Sequence, residues 1–209
     1  MRVLVVVALA GVFAVAAHAT ARPVNAQDRA LLARPATAEE KIAEHVAERL
    51  THHASVSVRC GPLAEPNNVL GLTPTQSGHP LDYFLLRPEE CTYLAWFHET
   101  PARWDPRTCA RADCAYVAAM TWALQTVAHE SYHVLGYANE AQVDCYGMQS
   151  IWFVANSLGA SLAEAQEYAS FYATRLYPQR QFSTPEYWSP ECRDGGAYDL
   201  RLHSSAWPS

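Results

Sequence analysis

The alternation of hydrophobic and polar positions along the chain predicts a mostly helical fold. From Ala115 to Ala128 the sequence reads AYVAAMTWALQTVA, apolar nearly all the way round a helical wheel. A helix apolar on every side is one that other elements surround. Asp113 is a suitable N-cap for it, and Gly136 a suitable residue to end it. Thr37 to His53, TAEEKIAEHVAERLTHH, predicts an amphipathic helix: Thr37 and Glu40 stand at capping-box spacing, and Ile42, Val46 and Leu50 recur on one face. Pro88, Glu89 and Glu90 have the composition of a helix start that CTYLAWF continues. Asn139, with Gln142 three positions on, predicts a helix to about Leu158. Ser161 caps a further one, SLAEAQEYASFYATRLYP, which is expected to stop before Pro178.

Strand patterns are fewer and confined to the N-terminal half. SVSVRC, Ser55 to Cys60, alternates with a period of two, LDYFLL from Leu81 to Leu86 is a second candidate, and a short strand is expected at Asn68 to Leu72 inside a stretch rich in Pro, Gly, Asn and Thr. Pro23 to Ala36 reads as a loose arm, while Thr100 to Ala112 and the tail Gln179 to Ser209 read as irregular. These patterns predict an α+β fold, mostly helical, with one central helix and a small N-terminal sheet.

Composition adds a compartment. Arg2, the apolar run VLVVVALAGVFAVAA and the small-residue sites Ala17-His18-Ala19 and Ala19-Thr20-Ala21 form a signal-peptide pattern. Residues 1–21 are therefore expected to be a leader, 22–36 the loose arm, and 37–209 a single domain, secreted, periplasmic or in the cell envelope. No later stretch is apolar and long enough to span a bilayer. All six cysteines, Cys60, Cys91, Cys109, Cys114, Cys145 and Cys192, follow the leader, and an even number bound for an oxidising compartment predicts disulfides. Six cysteines allow many pairings. Cys109 and Cys114, separated by ARAD, are close enough to close a small loop; the other four leave three pairings open, of which Cys60 with Cys91 and Cys145 with Cys192 is the one expected here. A zinc knuckle of Cys109, Cys114 and His98 is the rival reading. The net charge of −6 and singly scattered arginines make nucleic acid an unsuitable partner.

The chemistry gathers in HESYHVLGYANEAQVD, His129 to Asp144, an unusual density of ionisable groups in a chain with 17% charged residues. His129 and His133 are four apart, so both imidazoles leave one face of the helix and can grip one ion. Glu130, next to the first histidine, is placed to act as a general base on water activated by that ion. Zinc in catalytic sites takes three protein ligands, often two histidines and a glutamate, and Glu140 completes such a set. Asp144, one turn beyond Glu140, is expected to accept the remaining N–H of a ligand histidine. Asn139 and Asp144 are weaker alternatives for the third ligand. An oxyanion donor would come from Tyr137, Tyr146, Tyr198, Arg201 or His203, none of which is singled out by spacing.

HESYH followed by NEAQVD resembles the gluzincin metallopeptidases, the thermolysin-like class. They carry HExxH on one helix, and on a second an asparagine and glutamate pair with an aspartate four residues after the glutamate. The resemblance spans His129 to Gly147 and implies a zincin-like fold, one zinc ion held by His129, His133 and Glu140, Glu130 as general base, and Asp144 as the outer partner. The chain departs from the class in its connector, since only six residues separate His133 from Glu140. The expected function is an exported zinc-dependent hydrolase acting on a peptide or protein. The alternative is a secreted or cell-envelope binding or structural protein whose metal site only stabilises a scaffold. A cleft that opens the metal to solvent favours the first, and a site sealed by the C-terminal tail the second.

Overall fold

The computed structural model of the chain describes residues 23–52, 55–63, 69–109, 111–204 and 206–208, and of residues 111–113 the backbone alone. The expected leader lies outside the described residues. Between Pro23 and Ala36, where the pattern predicts a loose arm, the chain instead forms helix α1, Ala26–Ala33. Its stability is local at one end and tertiary at the other. Asn25 and Asp28 cap each other reciprocally, and Leu31 lies over Gly61, where an added Cβ would come within 2.8 Å of a Leu31 methyl.

Helix α2, Ala38–Thr51, carries the expected Thr37–Glu40 capping box. Glu40 is fully buried, and its carboxylate also accepts from the Cys60 amide and pairs with Arg34. One side chain thus caps a helix and fastens it to strand β1, Ser57–Cys60. Strand β2, Gly71–Leu72, precedes a short hairpin of β3, Thr75–Gln76, and β4, His79–Pro80, that periodicity did not predict. Strand β5, Tyr83–Leu86, is buried along its whole length and forms the centre of a sheet ordered β1-β5-β2, parallel to β1 and antiparallel to β2. Helix α3, Pro88–Glu99, follows and is tied back to β1 by Cys60–Cys91.

Helix α4, Arg111–Val134, packs against α2, α3 and the sheet. Met120, Leu124 and Val127 are fully buried, each contributing about 1.5–3 kcal/mol of apolar burial. The hydroxyls on it are satisfied within the helix: Thr121, Thr126 and Ser131 each donate to the carbonyl four residues back. Helix α5, Glu140–Ser157, capped by Asn139, lies along α4. Their closest approach uses Gly147, where a Cβ would sit 3.2 Å from the His129 backbone nitrogen.

Helix α6, Leu162–Phe171, begins at the predicted cap Ser161, which forms a capping box with Glu164. The expected stop before Pro178 is not observed. A single π-helical turn, Tyr172–Leu176, intervenes, with the Tyr177 amide bonding back five residues to Tyr172, and α7, Tyr177–Ser183, runs on through Pro178. The wider turn accommodates a proline that lacks the N–H of an α-helical ladder. The tail is irregular after the short 3-10 turn Pro185–Tyr187 and is pinned by Cys145–Cys192, while Cys109–Cys114 closes the loop before α4. All three pairings follow the expected scheme, so the cysteines of the rival zinc knuckle are consumed, and His98 Nδ1 instead meets the Leu158 carbonyl. The architecture is mostly helical α+β, braced by disulfides, and no helix among the described residues is long and apolar enough to cross a membrane.

Candidate metal centre

The last turn of α4 and the first of α5 meet at a tight corner. Gly136 adopts φ +94°, a conformation that glycine reaches without strain. Its amide bonds the His133 carbonyl and the Tyr137 amide bonds the Tyr132 carbonyl, the paired bonds of a Schellman motif. Asn139 then accepts from the Gln142 amide to start α5. Two helix ends are thus satisfied within a few residues, and the reversal brings Glu140 back over the histidines.

Three ligand-type atoms converge at this corner. His129 Nε2 and His133 Nε2 are 3.0 Å apart, and Glu140 Oε2 lies 3.0 Å from the first and 3.3 Å from the second. Ligands bound tetrahedrally at about 2.0–2.1 Å from one zinc-sized ion lie roughly 3.3 Å from each other, so the triangle has the right size. The group could hold a metal ion, and it is the one His/Cys/Asp/Glu cluster among the described residues with that property. The His133 tautomer also suits this role: its Nδ1 lies 2.8 Å from the Tyr137 carbonyl, which accepts only from an N–H and so leaves the Nε2 lone pair facing the triangle. This carbonyl is a supporting partner that sequence reasoning missed, and the Gly136 turn is the signal that placed it. Of the weaker ligand candidates, Asn139 is occupied as the cap and Asp144 lies behind His129.

The electrostatics call for a cation. Burial works against charge on His133, yet the carboxylates of Glu140 and Glu130 raise it to about 9. Burial likewise opposes ionisation of Glu140, but the two imidazoles hold it far below the usual carboxylate range. Without an ion a proton fills part of the deficit, and a divalent cation would displace it.

Glu130 meets strand β2 and Thr73. Burial pushes its carboxyl up, against the pull of His129 and His133 and of a 2.8 Å hydrogen bond from the Thr73 hydroxyl. Strand β2 passes directly over it: a Cβ on Gly71 would lie 2.7 Å from Glu130 Cγ and Oε1. The glycine therefore makes room for the carboxylate beside a sheet edge that, among the described residues, no other strand covers.

Asp144 occupies a different position from the expected one. It faces His129 Nδ1 at 3.8 Å, beyond hydrogen-bond reach, and among the described residues His129 Nδ1 has no hydrogen-bond partner. Its oxygens instead accept from Gln125 at 2.9 Å, Tyr172 at 3.0 Å and Arg180 at 3.0 Å. Burial raises the Asp144 carboxyl and Arg180 opposes the rise. The Arg180 guanidinium lies between the rings of Trp122 and Tyr187, 4.5 Å from each centroid. Tyr187, from the turn after α7, stands 5.7 Å from the His129 ring. Burial and the carboxylates of Glu140 and Glu130 push its phenol up. Of the expected oxyanion donors, Tyr146 meets the rings of Tyr137 and Tyr198 edge-on, and Arg201 bonds the Pro208 carbonyl. Tyr187 and Arg180 carried no spacing signal in the sequence. Comparison with protein-family models, with curated proteins and with solved structures finds no match to this chain.

Proposed function

We propose that the protein is an exported zinc-dependent hydrolase of zincin-like fold, acting on a peptide or protein. The observation that carries this reading is the triangle of His129, His133 and Glu140 atoms with sides of 3.0–3.3 Å beside a buried carboxylate that is not part of it. A divalent ion held there supplies a Lewis acid that acidifies water and polarises a carbonyl. Glu130, raised toward neutrality by burial, takes a proton from the attacking water and hands it to the departing amine. The edge of β2 supports an extended substrate backbone next to Glu130. Tyr187 is the phenol best placed to donate to a developing negative charge. Export is supported by the leader pattern and by three disulfides, which suit an oxidising compartment.

A second reading has one observation in its favour: the turn bearing Tyr187 packs over His129, as a tail sealing a purely structural metal would. Metal content and turnover separate the two. Purified protein is expected to hold about one equivalent of zinc, lost in Glu140→Ala and kept in Asn139→Ala, and to cleave members of a broad peptide library. Metal retained in Glu140→Ala would overturn the ligand assignment. Zinc without cleavage of any library member would leave the scaffold reading.

A further inference from the structure

A second candidate site lies at the opposite end of α4. A groove of about 660 Å³ is lined by Trp96 and Glu99 of α3, Thr100, Arg103 and Trp104 of the following turn, and Tyr116 of α4. Tyr116 and His129 lie on the same helix, and a rise of 1.5 Å per residue puts them roughly 20 Å apart. The groove is therefore separate from the metal centre, on the same rigid element.

Its composition narrows the ligand. Trp96 is 43% exposed and Tyr116 46%, and their gathering in one groove from two helices makes a contiguous aromatic patch of the kind that marks binding sites. The rings of Trp104 and Tyr116 are 5.5 Å apart and tilted by 41°. Glu99 and Arg103 are both exposed at the rim, offering an acceptor and a set of donors to whatever covers the rings. The Arg103 guanidinium lies 4.9 Å over the Trp104 ring and so occupies that face, and Glu99 and Arg103 set opposite charges at one rim, which favours neither a cation nor an anion by net charge. A proline-rich peptide would use the rings but has few N–H groups for the Glu99 carboxylate. A neutral ligand with a flat C–H face and hydroxyls around its edge satisfies all of these groups together.

The geometry points to a carbohydrate-binding subsite here, with Trp96 and Tyr116 stacking on pyranose rings and Glu99 and Arg103 bonding their hydroxyls. The site would hold the protein to a glycan while the metal centre, at the far end of the helix, stays free. This assignment does not depend on the metal centre being catalytic.

The test is calorimetric titration of the full chain with hexasaccharides of β-1,4-linked glucose and of β-1,4-linked N-acetylglucosamine, with decaproline as the competing probe. Saturable binding of at least one hexasaccharide is expected, weakened about tenfold or more in Trp96→Ala and in Tyr116→Ala, with circular dichroism and zinc content unchanged. Should either variant misfold, Glu99→Gln and Arg103→Ala replace it with the same expectation. No saturable heat with either saccharide at millimolar concentration would overturn the assignment. So would affinity unaltered in folded variants, or binding of decaproline in place of the sugars.

Discussion

The corner between α4 and α5 and the C-terminal segment from Tyr177 onward border the same ligand atoms, yet they are built by different physics. At the corner every group is placed by its near neighbours. The helical period puts His129 above His133, a Schellman turn at Gly136 supplies the Tyr137 carbonyl, and the Asn139 cap aims Glu140. The tail reaches the site through contacts distant in sequence. Arg180 reaches Asp144 across 36 residues of sequence, and Tyr187 is held over His129 by a turn beyond α7 and by the Cys145–Cys192 bond. The contrast separates two tasks: the corner presents the donor atoms, and the tail neutralises and covers what lies behind them.

The largest effect that would break this division is chemical. Glu130→Gln is expected to cut hydrolysis by about 100- to 10,000-fold while zinc stoichiometry and the urea midpoint stay unchanged. Turnover that persists in this variant would remove Glu130 as the base and return the site to a structural role. The matching change in the tail acts on folding. Arg180→Ala leaves Asp144 buried and without its cation, at a cost of about 3–5 kcal/mol, read from urea unfolding. A companion Asp144→Asn change should restore part of it, because the uncompensated charge is then gone. A tail that only covers the site would show neither the loss nor the rescue.

A third variant isolates the electrostatics of burial from those of the ligands. Glu90, in the first turn of α3, is buried with one carboxyl oxygen unpartnered, and burial pushes it up to about 8. The folded chain then keeps a proton that the unfolded chain, with its carboxyl near 4.5, releases. Stability from this group therefore falls as pH rises through that window, by up to about 1.4 kcal/mol per pH unit. Glu90→Gln should flatten the slope of unfolding free energy against pH, and an unaltered slope would mean that Glu90 finds a partner in solution. Glu140, equally enclosed but faced by two imidazoles, moves the opposite way. The smallest expected effect lies at the corner itself. Gly136→Ala meets no neighbouring atom within 4 Å, so only its positive φ is penalised, by about 1 kcal/mol. A larger loss, seen in the melting temperature, would show that the turn tolerates no relaxation.

What could be foreseen from the sequence follows the same line. The central helix, the caps at Thr37, Asn139 and Ser161, the HExxH pair and the Cys109–Cys114 loop rest on spacings of a few residues, and the structure places these elements as the pattern predicts, whereas spacing left the pairing of the other four cysteines open. Helix α1 escaped notice because its Asn25–Asp28 capping box precedes a segment with little apolar periodicity, and its anchor, Leu31 on Gly61, is visible only in three dimensions. Continuation through Pro178 escaped because the rule that proline ends helices assumes an α-helical turn before it, and a π turn stands there instead. The further partners of Asp144 escaped for a related reason. The four-residue rule brings it near His129, but it cannot know that Gln125, Tyr172 and Arg180 converge on the same oxygens.

Gly147 touches none of the three ligand atoms, yet it governs the gap between the two helices that carry them. With hydrogen as its side chain, α5 settles against the backbone of His129; a methyl there would meet that backbone at 3.2 Å, so that one helix would have to give by a few tenths of an ångström. The spacing of the His129 and Glu140 atoms thus leans on a residue with no chemistry of its own, about two turns away from Glu140 along α5.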